Sequence, residues 1–322
     1  MNRATFVVAG LVLAFAASGP EAAWAAYPEK PVRFIVPFAA GGPSDILARM
    51  VGMKLSNALR ESVVVDNRGS VGGLLGFELA AESAADGYTI LLAVNSGLTI
   101  NPHIFKKVPY NAQRDFQMIT QLTAGGNVVV VHPAVAAKSL KEFIALAKAK
   151  PGLINYATTG AGNLLGIARF KSMAGIDMVP IAYKGTGQAV VSLLSGEVQF
   201  FFMSPLVAIP HVKSGKLRGL AVTSTTPNPA MPQLPPVAEA GLPGFENITW
   251  HNIAVPAGTP RPIVNRLNAE LVKILQLADV KQRLLGQGLT PVGSTPEQVI
   301  AKIKAESIEY AQLVKEIGYQ PQ

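Results

Sequence analysis

The stretch Val32–Arg49, VRFIVPFAAGGPSDILAR, decides the fold. Val32, Phe34, Ile35 and Val36 are β-branched or aromatic, as a strand buried on both faces requires. Gly41 and Gly42 then allow a tight turn. Ser44 or Asp45 is placed to cap the helix that follows. A strand–glycine turn–helix unit gathers free N–H groups and the positive end of a helix dipole at one point, a natural seat for an anion. The backbone N–H groups of Gly41, Gly42 and Ser44 are the candidate seat, Ala40 in the same turn is a further candidate, and Phe38 could pack on the ligand's carbon chain or equally belong to the core. Asp45 is better suited to bracing the turn than to meeting an anion.

The unit recurs along the chain. Val63–Asp66 leads through NRGSVGGLLG to a helix over 73–83, and Tyr88–Val94 leads to Asn95-Ser96-Gly97. A second series starts near Asn127: strand Val128–His132, a helix over 140–149 capped by Ser139, then Ile154–Ala157 and TTGAGNLLG opening a helix over 163–174. Val179–Ala182 with helix 187–195, Val198–Phe202 with helix 205–213, and strand Leu217–Thr223 complete it. Such alternation builds parallel or mixed sheets covered by helices. Residues 225–247, rich in proline and glycine, read as a long surface connection. A strand Ile248–Val255 and helices over 261–277, 279–286 and 296–317 follow, the last with Val299, Ile303 and Ile308 as its apolar face. The reading is an α/β protein of two lobes, 27–123 plus 249–322 and 124–248. Ligands of such sheets sit at the carboxyl ends of strands, so the two lobes face one cleft.

That geometry singles out further candidates. Thr158, Thr159, Gly160, Gly162 and Asn163 form a second anion-seating turn, in the second lobe. Asn67, Asn95 and Ser96 follow strands of the first lobe; Tyr183 and Ser204 follow strands of the second. Each could equally brace a loop. Lys184 is an obvious anion partner, and equally a solvated surface lysine. Gly160-x-Gly162-x-x-x-Gly166 imitates a dinucleotide fingerprint, but its spacing is one residue long and no acidic residue ends the next strand.

Residues 1–25 are set apart from the fold. Arg3 begins them, Phe6–Ala17 is an apolar run short for a membrane span, and Ala23-Trp24-Ala25 is a small-x-small cleavage site. A signal peptide cleaved before Ala26 or Tyr27 is expected, with release into the periplasm. The chain has no cysteine, so neither a lipid anchor on cysteine nor thiol chemistry is available. The net charge of +8 is spread without a basic tract interleaved with aromatics, which argues against nucleic acid and for a mild attraction to anionic solutes. His103, His132, His211 and His251 lack metal-ligand spacing, and neither a Gly-x-Ser-x-Gly nor a His-Glu-x-x-His motif occurs. No cofactor or metal is expected.

Taken in order, several segments carry a family resemblance. YPEKPVRFIVPFAAGGPSDILAR (27–49), VVVDNRGSVGGLLG (63–76), ADGYTILLAVNS (85–96), AKPGLINYATTGAG (149–162), YKGTGQAVVSLLSGEVQ (183–199), KSGKLRGLAVTS (213–224), LPPVAEAGLPGFE (234–246) and VPAGTPRPIVNRLN (255–268) resemble the Bug-type receptors of tripartite tricarboxylate transporters. The resemblance spans the mature chain. It implies a type II, Venus-flytrap periplasmic-binding-protein fold with crossover strands joining the lobes. It also implies capture of a small mono- or dicarboxylate and its delivery to integral-membrane transporter subunits; a freely diffusing receptor is most simply a monomer. The chain departs from that pattern in three places. Asn163 and Leu164-Leu165-Gly166 stand where serine and histidine are common, Ser204 where aspartate is frequent, and His251 where a glycine often follows the tryptophan. Two alternatives remain: an exported Ser/His/Asp hydrolase using Ser96 or Ser44, and a receptor that feeds a membrane sensor.

Overall fold

The computed structural model describes residues 27–321; the expected signal peptide lies outside them. Strand β1 (Val32–Val36) leads to helix α1 (Pro43–Leu59), β2 (Val63–Asn67), a 3-10 turn (Val71–Gly73) and α2 (Leu74–Ala81). Then come β3 (Thr89–Val94), a π-turn (Ser96–Ile100), the short α3 (Asn101–Ile104) and β4 (Phe116–Gly126). The second series is β5 (Val128–Val131), α4 (Leu140–Ala149), β6 (Asn155–Thr158), α5 (Ala161–Ala174), β7 (Val179–Ala182), α6 (Thr186–Ser195), β8 (Phe200–Met203), α7 (Pro205–Lys213) and β9 (Arg218–Val222). The chain returns through β10 (Ile248–Pro256) and ends in α8 (Arg261–Gln276), α9 (Ala278–Gly286), β11 (Thr290–Pro291) and α10 (Pro296–Glu316).

Two sheets result. The first runs β11-β4-β10-β3-β1-β2, the second β7-β6-β8-β5-β9. β1 lies parallel to β2 and β3, while β10 is antiparallel to β3 and β4. β1 is buried on both faces: Phe34 and Val36 join one core with Leu47, Leu55 and Leu267, and Ile35 joins another with Phe77, Leu91 and Trp250. β5 divides in the same way, Val129 and Val131 toward Phe143, Phe170, Phe200 and Phe202, Val128 and Val130 toward Phe201 and Met203. Full burial on both faces explains why these strands read as unbroken apolar runs.

β4 was not legible as a strand. Gln117, Thr120, Gln121 and Thr123 interrupt its apolar residues. The structure satisfies them by pairing β4 with β10 over the whole length from Ile248↔Gly126 to Pro256↔Phe116. Thr120 Oγ1 also donates to the Ser294 carbonyl at 2.8 Å. Residues 225–247 form no helix or strand, yet they are not a surface connection. Val237 and Phe245 are buried in one core of the second sheet, Met231 and Leu234 in the other. The Val237 N–H reaches the Val222 carbonyl at 2.8 Å. Prolines prevent a regular ladder here without preventing burial. Ile308 is 71 % exposed, whereas Val299 and Ile303 are buried. Five residues beyond Ile303 the helix has turned roughly 140° past its inner face.

The two sheets meet where β4 passes into β5 and β10 begins. The Asn127 N–H donates to Thr223 Oγ1 at 2.7 Å, the Thr223 N–H to the Asn127 carbonyl at 2.8 Å, and the Asn247 N–H to the Thr223 carbonyl at 2.9 Å. A methyl group on Gly126 would lie 2.4 Å from the Ser224 nitrogen, so only glycine lets the chains pass this closely. No described helix is long and apolar enough to cross a membrane.

Candidate ligand-binding site

A cleft of about 370 Å³ opens between the two sheets. The first lobe contributes Phe38, Ala39, Ala40, Gly42, Pro43 and Ser44 from the turn into α1, and Val94, Asn95 and Ser96 from the end of β3. The second lobe contributes Thr159, Gly160, Gly162 and Asn163 at the start of α5, Lys184–Gln188 at the start of α6, Phe201 and Phe202, and Ser204 and Pro205 at the start of α7. Gly125, Asn127, Thr249, His251 and Leu289 line the side where the connecting strands run. The walls approach closely. A methyl group on Gly162 would sit 3.6 Å from Ser96 Cβ, and one on Gly185 3.5 Å from Ala39 Cβ. Ile100, Ile104 and Val314 pack with Ala161 and Leu165 of α5 in an apolar cluster bridging the lobes.

The first N–H groups of a helix have no partner within it. In α1 the intrahelical pattern begins with Ile46 N–H to the Gly42 carbonyl, in α5 with Leu164 to Gly160, and in α6 with Ala189 to Gly185. None of these three starts has a side-chain cap. Gly42 is thus the N-cap of α1, and neither Ser44 nor Asp45 caps it. At the α5 start Gly160 has φ 157° and ψ 177°, a region open essentially to glycine alone. That conformation turns the chain from β6 straight into the helix mouth.

Eleven of the sixteen candidate residues thus line one cleft: Phe38, Ala40, Gly42, Ser44, Asn95, Ser96, Thr159, Gly160, Gly162, Asn163 and Ser204. The other five stand behind it. Gly41 gives its N–H to Asp45 Oδ2 at 2.9 Å, which removes that amide from the seat. Asp45 is 4 % exposed; burial pulls its carboxyl up, but hydrogen bonds from Arg49, Gly41 and Asn67 outweigh this and hold it below the usual carboxylate range. Asn67 braces the turn, donating from Nδ2 to the Phe38 carbonyl at 3.1 Å. Thr158 is buried at the end of β6, and its carbonyl accepts the Tyr183 N–H at 2.9 Å. The Tyr183 side chain packs on the second lobe's core, so the Lys184–Gln188 turn, not Tyr183, reaches the cleft. Two of the lining candidates also have structural duties. Asn95 Nδ2 donates to the Ile248 carbonyl at 3.1 Å, and Asn163 Nδ2 to the Phe202 carbonyl at 2.7 Å. Asn163 Oδ1 has no partner.

Sequence reasoning missed the α6 start beyond Lys184, the phenylalanines of β8, and Thr249 and His251. The signal for α6 was present, since Lys184-Gly185-Thr186-Gly187 repeats the strand–glycine–helix pattern of the other two turns. β10 carried none, because a strand running between lobes has no turn motif. No Asp or Glu lines the cleft among the described residues, and Lys184 is its one formally charged side chain. His251, 3 % exposed, has Nδ1 at 3.2 Å from Thr123 Oγ1, and burial pushes its pKa down to about 4.

The arrangement holds little for catalysis. Neither Ser44 nor Ser96 forms a hydrogen bond to a histidine, and Asp45 is committed to Gly41 and Arg49. The Ser–His pair that does form, His103 Nε2 with Ser307 Oγ at 3.0 Å, joins α3 to α10 away from the cleft. No group of three or more metal-ligating side chains occurs among the described residues.

The sequence pattern described as tripartite tricarboxylate transporter family receptor, TctC, matches residues 47–319. Protein BugT of Bordetella pertussis is 34 % identical over 323 residues, covering 99 % of this chain and 98 % of that protein. The structure of the R. palustris protein Rpa4515 with adipate superposes with a TM-score of 0.90 at 28 % identity, covering 92 % of this chain and all of that one. MatC from Rhodopseudomonas palustris with bound malate gives 0.84 at 27 % identity, covering 89 % and 100 %. The two sheets and their helices have the two-lobed architecture of periplasmic binding proteins.

Proposed function

The chain belongs to the tripartite tricarboxylate transporter receptor family, a family of periplasmic solute-binding receptors and not of enzymes; from that premise we propose that it captures a small organic carboxylate between its lobes. In this reading helix N-termini and backbone amides do the holding, and a membrane transporter receives the ligand. One observation carries it: the uncapped first turns of α1, α5 and α6, drawn from both lobes, open onto a cleft free of acidic side chains. Each charge-assisted N–H contact contributes roughly 1.5–3 kcal/mol net. A helix terminus adds about 0.3–1 kcal/mol, and up to ~2 where partly buried. A few such contacts, less desolvation, leave about −8 kcal/mol, a micromolar affinity. No arginine is needed, and none lines the cleft. The relatives with adipate and malate make four- to six-carbon acids the first probes.

The lobes of this reading are 27–123 plus 249–322 and 124–248, and they move about the ties among Asn127, Thr223 and Asn247. The mature receptor begins at Ala26 or Tyr27, is released into the periplasm and acts as a monomer. Calorimetry against a panel of mono- and dicarboxylates tests the central reading. A saturable exothermic or endothermic titration by at least one acid is expected; silence from every acid with a folded protein rejects it. Scattering in solution should show the particle contract as the same acid saturates.

A further inference from the structure

Ring and cleft geometry at β10 go further than the carboxylate seat. His251 stands in register with Val94 of β3 and Thr123 of β4, in the middle of the first sheet, and it lines the cleft where the connecting strands run. Its Nδ1 is held by the buried Thr123 hydroxyl. Among the described residues Nε2 has no hydrogen-bond partner, and it is not fully buried. The ring therefore presents one fixed nitrogen to whatever fills this end of the site. Val94, its partner in the sheet register, and Thr249 and Leu289 line the cleft with it, and no acidic side chain does.

We propose that His251 is the specificity-determining residue of this receptor, reading an uncharged hydrogen-bonding group (amide, hydroxyl or ketone) of a ligand whose carboxylate is held by the helix termini. The inference rests on the carboxylate-receptor reading and names the class of acid. Thr123 Oγ1 either donates to Nδ1 or accepts from it, so Nε2 is a donor or an acceptor accordingly. An amide or hydroxyl, carrying both roles, satisfies either tautomer. A second carboxylate at this place would meet a neutral imidazole, and the cost of burying that charge exceeds what such a partner returns. Burial keeps the ring neutral at pH 7, its pKa near 4. An alkyl end would leave Nε2 unpaired once the cleft shuts, and a site built for a hydrogen bond discriminates against the analogue lacking it.

Calorimetry with matched acids tests this directly: succinamate, succinate and butyrate at four carbons, and adipamate, adipate and hexanoate at six. The monoamide of at least one length is expected to bind about tenfold or more tighter than both of its partners. In His251→Leu the margin over the alkyl acid should collapse to within about threefold, while the alkyl acid itself binds as before or better. His251→Gln, which keeps a polar tip, should retain part of the margin. Thr123→Val, which frees the ring without touching the ligand, should reduce it. Thermal melting of each variant certifies folding, and Thr123→Val supplies the answer if His251→Leu does not fold. A diacid tighter than its monoamide at both lengths, equal binding within each trio, or a margin that survives in His251→Leu overturns the inference and leaves the receptor reading standing. Absence of binding by all six acids to the folded wild type counts against both.

Discussion

Gly160 and Gly187 make a matched pair. Both line the cleft, and a methyl group added to either would meet no heavy atom within 4 Å. Steric crowding therefore cannot separate them; backbone geometry can. Gly160 has φ 157° and ψ 177°, whereas Gly187 sits in the first turn of α6 without a positive φ. Gly160→Ala should cost about 1–3 kcal/mol in backbone strain. Gly187→Ala should gain up to about 0.5–1 kcal/mol by lowering the entropy of the unfolded chain. At roughly 2–4 °C per kcal/mol for a chain of this size, the first variant melts about 2–12 °C lower and the second about 1–4 °C higher. If Gly160→Ala relieves its strain by rotating the turn, the amides of Ala161, Gly162 and Asn163 swing off target. Losing one charge-assisted contact of about 1.5–3 kcal/mol weakens a carboxylate about 10- to 150-fold. Differential scanning calorimetry of the ligand-free variants, followed by titration with the best acid, reads both effects. Equal melting shifts in the two variants, or unchanged melting and affinity in Gly160→Ala, would refute the argument that the α5 mouth depends on this backbone conformation.

Two buried groups should give opposing pH slopes. Burial raises Glu306 from 4.5 to about 7, against the hydrogen bond from Trp250 Nε1 at 2.6 Å, so its contribution is present below pH 4.5 and lost as pH rises through 7. Burial lowers His251 from 6.5 to about 4, so its contribution is present above pH 6.5 and lost as pH falls through 4. Partly buried His103 is shifted in the same direction as His251. Denaturant melts between pH 4.5 and 6.5 should show Glu306→Gln losing stability on acidification and His251→Leu gaining it, with the wild type flatter than either; slopes of the same sign in both variants contradict the assignment. Lys184→Ala, at an exposed site, should weaken carboxylate binding by less than about 1 kcal/mol in calorimetry. A larger loss there than in Gly160→Ala would make side-chain charge the real anchor. Ser139→Ala removes the acceptor for the Glu142 N–H and should destabilise the protein by about 1 kcal/mol without altering affinity, as thermal melts and titration would reveal.

What the sequence disclosed was local. Each strand–glycine–helix unit announces itself, because the apolar run, the glycine and the helix start are contiguous. Gly42 and Gly160 were therefore found by pattern alone, and the bracing duty of Asp45 followed from its charge. Long-range pairing was hidden. β4 looks polar until β10 is laid beside it, and residues 225–247 look like a loop until Val237 and Phe245 are seen in the core. Gly41 appeared to be a ligand amide because nothing in its spacing reveals that Asp45 turns back to take its N–H. His251 reaches the cleft only through the sheet register with Val94 and Thr123, information no single segment contains.

The account stands most directly on where a bound acid meets the backbone. A crystal structure with the tightest-binding carboxylate should place its oxygens within hydrogen-bond distance of main-chain nitrogens from two helix starts in opposite lobes: Gly42 or Ser44 on one side, and the Gly160–Asn163 or Gly185–Gln188 turn on the other. A carboxylate held by the Lys184 ammonium alone, or by one lobe with the other helix mouths empty of ligand, would contradict it.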